Sequence, residues 1–347
     1  MSEAETTEET PALDGKEHKV FIKSLKKKFE DTQFASGESM TLPKGNSTGS
    51  LSLDINLSVP IYEGGIIEIY SNEGGGKTTL ALSILAQGAA RGKKVLFLDQ
   101  EQSLQPTLVN SFPSLREEGV LELITAPTGD DALEIARLWA NQYPGSIIVI
   151  DSVDALLPDA TKDNKIGDAE VGNLPKLMSQ ACRRLKAAVG QSRSTIIFLN
   201  QFREKIGTYG DSRTTSGGKA LRFYSDQRIE LMDITSKTRI MSKDGKDQIG
   251  HIVRFKVIKN KVAPPFVQGE FPLIYGKGID QQTELVTLAS DLGILPMDKK
   301  YILVDNAKGE QVKKHPGQVA DMMKIDPAFF EEVLGELRAM FPETFSV

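Results

Sequence analysis

Four apolar runs constrain this chain more than any other feature. Residues 64–70 (GGIIEIY), 93–99 (KKVLFLD), 146–151 (SIIVID) and 194–200 (STIIFLN) are short, apolar through their centres and almost free of polar alternation. A strand that is apolar on both faces needs helices on both faces, which points to a mostly parallel sheet inside an α/β domain. Helical segments separate the runs, the first being residues 77–92 (KTTLALSILAQGAARG). Residues 227–234 (QRIELMDI) and 252–262 (IVRFKVIKNKV) alternate more and predict partly exposed antiparallel strands. Residues 326–341 (DPAFFEEVLGELRAMF) predict a helix opened by Asp326 and Pro327, within a small C-terminal α/β domain.

The first residues, MSEAETTEETPALDG, are acidic and lack an apolar stretch behind a basic start, so they read as a disordered tail over 1–17 and not as a secretion signal. Behind them Phe21, Ile22, Leu25 and Phe29 recur at helical spacing among lysines. This amphipathic helix, within a segment spanning 18–46, packs either on its own core or on a neighbouring subunit. No apolar run is long enough to cross a bilayer. The single cysteine, Cys182, excludes an intrachain disulfide and fits a cytoplasmic setting, and its helical context makes it a small buried hydrophobe. The net charge of −5 does not by itself suggest a nucleic-acid binder, though a local basic stripe suffices to hold phosphates.

Between the first apolar run and its helix lie Ser71, Asn72, Glu73, Gly74, Gly75, Gly76, Lys77, Thr78 and Thr79. A glycine-rich turn between strand and helix converges backbone N–H groups on phosphate oxygens, and the helix N-terminus adds a favourable dipole end. Lys77 then neutralises the β and γ phosphates of ATP, and the Thr78 hydroxyl holds Mg²⁺. The third run ends in Asp151, the carboxylate that orients the Mg²⁺ shell. Glu101 follows the second run at the end of the sheet where ligands gather, and is the candidate base for an attacking water. Asp99 is its competitor, with an alternative role as cap of the following helix.

Residues 47–276 resemble the RecA recombinase family, bacterial or phage-encoded. The carrying segments are Ser47-Thr48-Gly49-Ser50 with Leu51 to Asp54, the strand and helix around GGGKTTLAL, Asp151-Ser152-Val153, Ile166-Gly167-Asp168, Met178-Ser179-Gln180-Ala181, Asn200-Gln201-Phe202-Arg203, Lys205-Ile206-Gly207, Gly217-Gly218-Lys219-Ala220-Leu221 and Lys259-Asn260-Lys261 with Pro265-Phe266. The resemblance implies a RecA-like P-loop ATPase core over 47–285, an N-terminal oligomerisation helix and a C-terminal domain over 286–347. It implies a helical homo-oligomeric filament on single-stranded DNA that pairs with double-stranded DNA. Gln201 matches the glutamine that senses the γ-phosphate, and Lys259 and Lys261 match lysines that reach a neighbour's ATP. DNA contacts are implied for two loops: residues 162–172, with Gly167, Val171 and Gly172, and residues 203–218, with Arg203, Lys205, Ile206, Arg213, Gly217 and Gly218. Ile206 matches a wedge between base triplets, and Arg222 and Phe223 match residues at subunit contacts.

Departures from the family pattern are Ser71 for the first glycine of the motif, Leu108 for an adenine-stacking tyrosine, Gln105 for an aspartate, and an end without an acidic tail. They mark a divergent member. Two rival classes are a RecA-fold ATPase that is not a recombinase, which would lack the paired-glycine loop and Lys-Asn-Lys, and a non-catalytic mediator, which would not need Lys77, Thr78, Glu101 and Asp151 together.

Overall fold

The computed structural model describes residues 15–29, 43–161, 172–204, 213–305 and 310–345. The chain divides into two compact units, residues 1–42 and 43–347. In the first, α1 (Gly15–Lys28) carries three lysines in its last turn, which suit the negative end of the helix dipole, and exposes Val20 and Phe21. It begins inside the stretch expected to be tail, so residues 15–17 are helical; residues 1–14 lie outside the described residues.

In the second unit the chain runs through α2 (Leu51–Leu57), β1 (Ile66–Ser71), α3 (Lys77–Ala90), β2 (Val95–Asp99), α4 (Pro106–Val109), β3 (Leu121–Ile124), α5 (Gly129–Gln142), β4 (Ile147–Asp151), α6 (Asn173–Ser192) and β5 (Thr195–Glu204). It continues through α7 (Ala220–Tyr224), β6 (Gln227–Leu231), β7 (Gln248–Asn260), β8 (Gln268–Ile274) and α8 (Gln281–Asp291). Within the central sheet these strands stand in the order β8-β7-β6-β1-β5-β4-β2-β3, with the short strand Gly278–Ile279 beyond β8. From β6 to β3 neighbouring strands are parallel; β7 is antiparallel to both of its neighbours. Residues 227–234 were expected to be antiparallel, but β6 pairs parallel with β1 and antiparallel with β7. Its alternating polarity follows its burial, with Gln227, Ile229 and Leu231 buried and Arg228 and Glu230 half-buried.

The apolar runs are buried on both faces because the sheet separates two cores. Ile67, Ile69, Phe97, Val149 and Ile197 face a cluster with α2 and α3. Ile66, Leu96, Leu98, Ile148 and Phe198 face a second with α5 and α6. Cys182 belongs to the second cluster, and burial pushes its thiol up to about 12, which keeps it inert.

A third cluster joins α8 to β9 (Tyr301–Asp305), β10 (Gln311–Lys314), α9 (Pro316–Ile325) and α10 (Pro327–Met340). As expected, Asp326 caps α10, accepting from the Ala328 and Phe329 amides, with Pro327 in the first turn. The boundary expected after residue 285 falls inside α8, whose Leu285, Val286 and Ala289 all belong to this cluster. Glu284 ties α8 to the start of α2. Its buried carboxylate accepts from Ser50 Oγ (2.6 Å) and from the Leu51 (3.1 Å) and Ser52 (2.9 Å) amides. Glu284→Ala strands these buried donors, so it is expected to lower stability by roughly 3 kcal/mol. Urea unfolding checks this, and an unchanged midpoint would mean that water replaces the carboxylate at no cost. Among the described residues no helix is long and apolar enough to cross a membrane.

Candidate active site

Strand register gathers the polar residues at one end of the sheet. Ser71 at the end of β1 stands opposite Gln201 on β5, and Asp99 on β2 stands opposite Asp151 on β4. Because these strands are parallel, their carboxyl ends open on the same edge, where α/β sheets bind ligands. The turn after β1 uses left-handed backbone at Gly74 (φ 72°) and Gly76 (φ 92°). A Cβ at Gly75 would lie 2.4 Å from Ser71 Oγ, so glycine there makes room for the serine that departs from the motif.

Lys77 opens α3 and folds over this turn. Its ammonium donates to Ser71 Oγ and the Asn72 carbonyl, both at 3.1 Å. Burial lowers its affinity for the proton, opposed by the nearby carboxylates of Asp151, Glu101, Glu73 and Asp154. Thr78 Oγ1 donates to Asp151 Oδ2 at 3.0 Å. Burial, with the repulsion of Glu101, raises the Asp151 carboxyl to about 6. A hard cation beside Asp151 would reverse that repulsion. The Thr78 hydroxyl and Asp151 carboxylate form the small oxygen set that suits Mg²⁺, which retains several waters and phosphate oxygens as ligands. Among the described residues no group of three or more His, Cys, Asp or Glu forms a ready metal cage.

Glu101 Oε1 accepts from Gln201 Nε2 at 3.1 Å and from Ser152 Oγ. The Glu101 amide donates to the Asp151 carbonyl at 3.1 Å, which fixes the turn after β2 against the end of β4. Asp99 is engaged elsewhere: its carboxylate accepts from the Ser103 (3.3 Å) and Leu104 (3.1 Å) amides and braces the loop. It is not the cap of α4, since Gln105 occupies that position.

Beyond Gln201, β5 carries Phe202 and Arg203, and pairs antiparallel with a short strand at Arg213–Thr215. Arg203 donates to Asp154 Oδ1 from Nε (3.1 Å) and Nη2 (2.9 Å). Arg213 lies over the Phe202 ring, 4.7 Å from its centroid. Gly217 (φ 79°) and Gly218 (φ 74°) close this segment, where a Cβ would meet Val153 Cγ1 at 2.9 Å and Pro175 Cβ at 3.0 Å. Gly172 (φ 88°) caps α6. Gly167, Val171, Lys205 and Ile206 lie outside the described residues.

Lys259 and Lys261 stand at the other end of the sheet. Lys259 pairs with Arg228 near the start of β6, whereas the phosphate turn follows the end of the parallel strand β1. The Lys259 ammonium donates to the Arg222 and Phe223 carbonyls, both at 2.9 Å, and Lys261 donates to Asp226 Oδ1 at 2.7 Å. Burial works to raise the Asp226 carboxyl, but hydrogen bonds from Lys186, Lys261 and the Ile66 amide outweigh it and hold the group below the ordinary range.

Sequence reasoning missed one buried element of the site. Glu68 on β1, 0% exposed, binds Arg228 Nε at 2.5 Å and accepts from Asn200 Nδ2 at 2.9 Å. Asn200 Nδ2 also donates to the Ser216 carbonyl at 3.1 Å, so the pair reaches the paired-glycine segment. The available signal was a glutamate inside an apolar strand, because a buried charge needs a partner.

A glycine-rich phosphate turn, a lysine and a threonine opening α3, and a strand-end aspartate on a parallel sheet define a P-loop ATPase. The family model of the RecA N-terminal domain matches residues 17–280. Protein RecA of Deinococcus radiodurans is 37% identical over 98% of this chain and 94% of its own length. Protein RecA of Thermus thermophilus is 39% identical over 82% of each chain, and that of Oceanobacillus iheyensis 40% over 78% of this chain and 77% of its own. A crystal structure of the RadB recombinase aligns with a TM-score of 0.49 and 19% identity, covering 67% of this chain and 98% of that one. The chain belongs to the RecA family: it is a RecA-type DNA recombinase of recombination and repair, and an ATPase of the RecA-like P-loop type.

Proposed function

We propose that this chain assembles as a helical filament on single-stranded DNA, pairs it with homologous double-stranded DNA, and couples both to ATP hydrolysis at the Lys77 site. The observation that carries this reading is the hydrogen bond from Gln201 to Glu101. One partner is the candidate base, and the other lies two residues before Arg203 on the strand that enters the second loop. A change at the phosphates that draws Gln201 away from Glu101 also moves the strand carrying Phe202 and Arg203.

In this reading Lys77 neutralises phosphate charge, while Thr78 and Asp151 would hold Mg²⁺, which would supply further positive charge for the phosphates. Glu101 orients the attacking water and takes its proton. Lys259 and Lys261, at the far end of their own sheet, act on the nucleotide of a neighbouring copy. Exposed Val20 and Phe21 on α1 supply the apolar contact that joins one copy to the next. Arg203, Arg213 and the backbone around Gly217 and Gly218 contact DNA phosphates without reading bases.

The test is ATP hydrolysis on one preparation with and without single-stranded DNA. Stimulation of roughly tenfold or more is expected if the Gln201 linkage couples the two sites. Steady turnover that ignores DNA would replace this reading with a RecA-fold ATPase that answers to another partner.

A further inference from the structure

Asp154 lies three residues beyond Asp151, in a single helical turn at Val153–Ala155, and has no part in the chemistry above. Its Oδ1 is a crowded acceptor. It takes Arg203 Nε (3.1 Å), Arg203 Nη2 (2.9 Å) and Ser216 Oγ. Arg203 and Ser216 stand on either side of the second loop, so one carboxylate oxygen ties down both described flanks. The Asp154 side chain is 13% exposed, against 61% for Arg203. Its Oδ2 is buried and accepts no hydrogen bond among the described residues.

The geometry matters for what Arg203 can do. Both guanidinium donors converge on a single oxygen, so the two-oxygen fork that makes arginine a strong phosphate ligand is not formed. A DNA phosphate presents two free oxygens and satisfies that fork better. The pair with Asp154 therefore holds Arg203 in place without using its best contact. Asp154 also belongs to the segment that carries the phosphate-site carboxylate, and its charge is felt at Lys77.

We propose that Asp154 is an autoinhibitory latch. In the free protomer it withholds Arg203 from single-stranded nucleic acid and fixes Ser216, and a backbone phosphate must displace it. This rests on the reading above in which Arg203 contacts DNA. Asp154 acts through the Arg203 and Ser216 that it holds, so it is a positioning residue.

The test measures binding of a fluorescent oligothymidylate to the nucleotide-free full chain over a range of salt, for wild type, Asp154→Asn, Arg203→Ala and the double variant. Asp154→Asn keeps the shape and an acceptor for Ser216 but removes the charge. It should tighten binding about twofold to fivefold at low salt, the scale of a partly exposed ion pair. The slope of the salt dependence should stay close to that of wild type, because Arg203 makes the same phosphate contact in both once the latch is displaced. In the Arg203→Ala background the same substitution should change neither quantity. A gain that persists without Arg203 reflects general removal of negative charge and overturns the latch. Weaker binding on Arg203→Ala with no gain on Asp154→Asn also overturns it but leaves the DNA contact standing, whereas no effect of Arg203→Ala overturns both. Asp154→Ala, lacking the carboxylate entirely, gives an independent reading if the asparagine variant folds poorly, and it should agree in sign.

Discussion

Lys77→Ala is expected to reduce ATP turnover by about 10²–10³-fold, the cost of removing one fixed charge from a site where negative charge develops. The expectation follows from how the side chain is held. Its ammonium is buried against the turn, and among the described residues it donates to Ser71 Oγ and the Ser71 and Asn72 carbonyls. None of these is a carboxylate, so incoming phosphates compete against weak partners and gain a cation already desolvated. Water filling an alanine site would carry neither the charge nor the placement. The fold should survive, because α3 is anchored by Leu80, Leu82, Ile84 and Leu85 and not by Lys77. Steady-state hydrolysis with a parallel thermal melt checks both halves. Near-normal turnover in a folded Lys77→Ala protein would remove the phosphate turn from the mechanism.

Glu101→Gln should separate binding from chemistry. Glutamine matches glutamate in shape, and its amide oxygen can still accept from Gln201 and Ser152, so the turn after β2 keeps its form. It has no basic oxygen for a proton. Hydrolysis should fall by about 10²–10⁴, the usual contribution of a positioned general base, while nucleotide affinity stays close to wild type. Fluorescent-nucleotide titration beside single-turnover hydrolysis distinguishes the two. An unchanged rate would take the role away from Glu101. Asp99 would be a poor substitute, since it is buried and already accepts from the Ser103 and Leu104 amides.

The parts of this molecule legible in its sequence are those written in local pattern. Runs such as residues 147–150 are apolar at every position because both faces of β4 are covered, and the spacing of Gly74, Gly75, Gly76, Lys77 and Thr78 encodes a turn opening a helix. Partner choice across long stretches of chain was not legible. Nothing near Glu68 announces Arg228, and nothing near Asp226 announces both Lys186 and Lys261. Such pairs depend on strand order, and β6 lies beside β1 only because the chain between β1 and β6 has packed elsewhere in the sheet. Asp154 was invisible for a related reason. A lone aspartate after a strand looks like any surface turn until Arg203 and Ser216 are brought to it.

The separation between Lys77 and the Lys259–Lys261 pair, at opposite ends of the sheet, has a consequence for growth. If each nucleotide is completed by a neighbour's lysines, every copy gives from one end and receives at the other. A row of such copies has a direction, and its termini are chemically unlike. One terminal copy carries a nucleotide site that no lysine completes. The other presents Lys259 and Lys261 still occupied with their own Arg222, Phe223 and Asp226 partners. Turnover at the first terminus would then differ from turnover inside the row, so addition and loss of copies need not proceed at equal rates from the two ends.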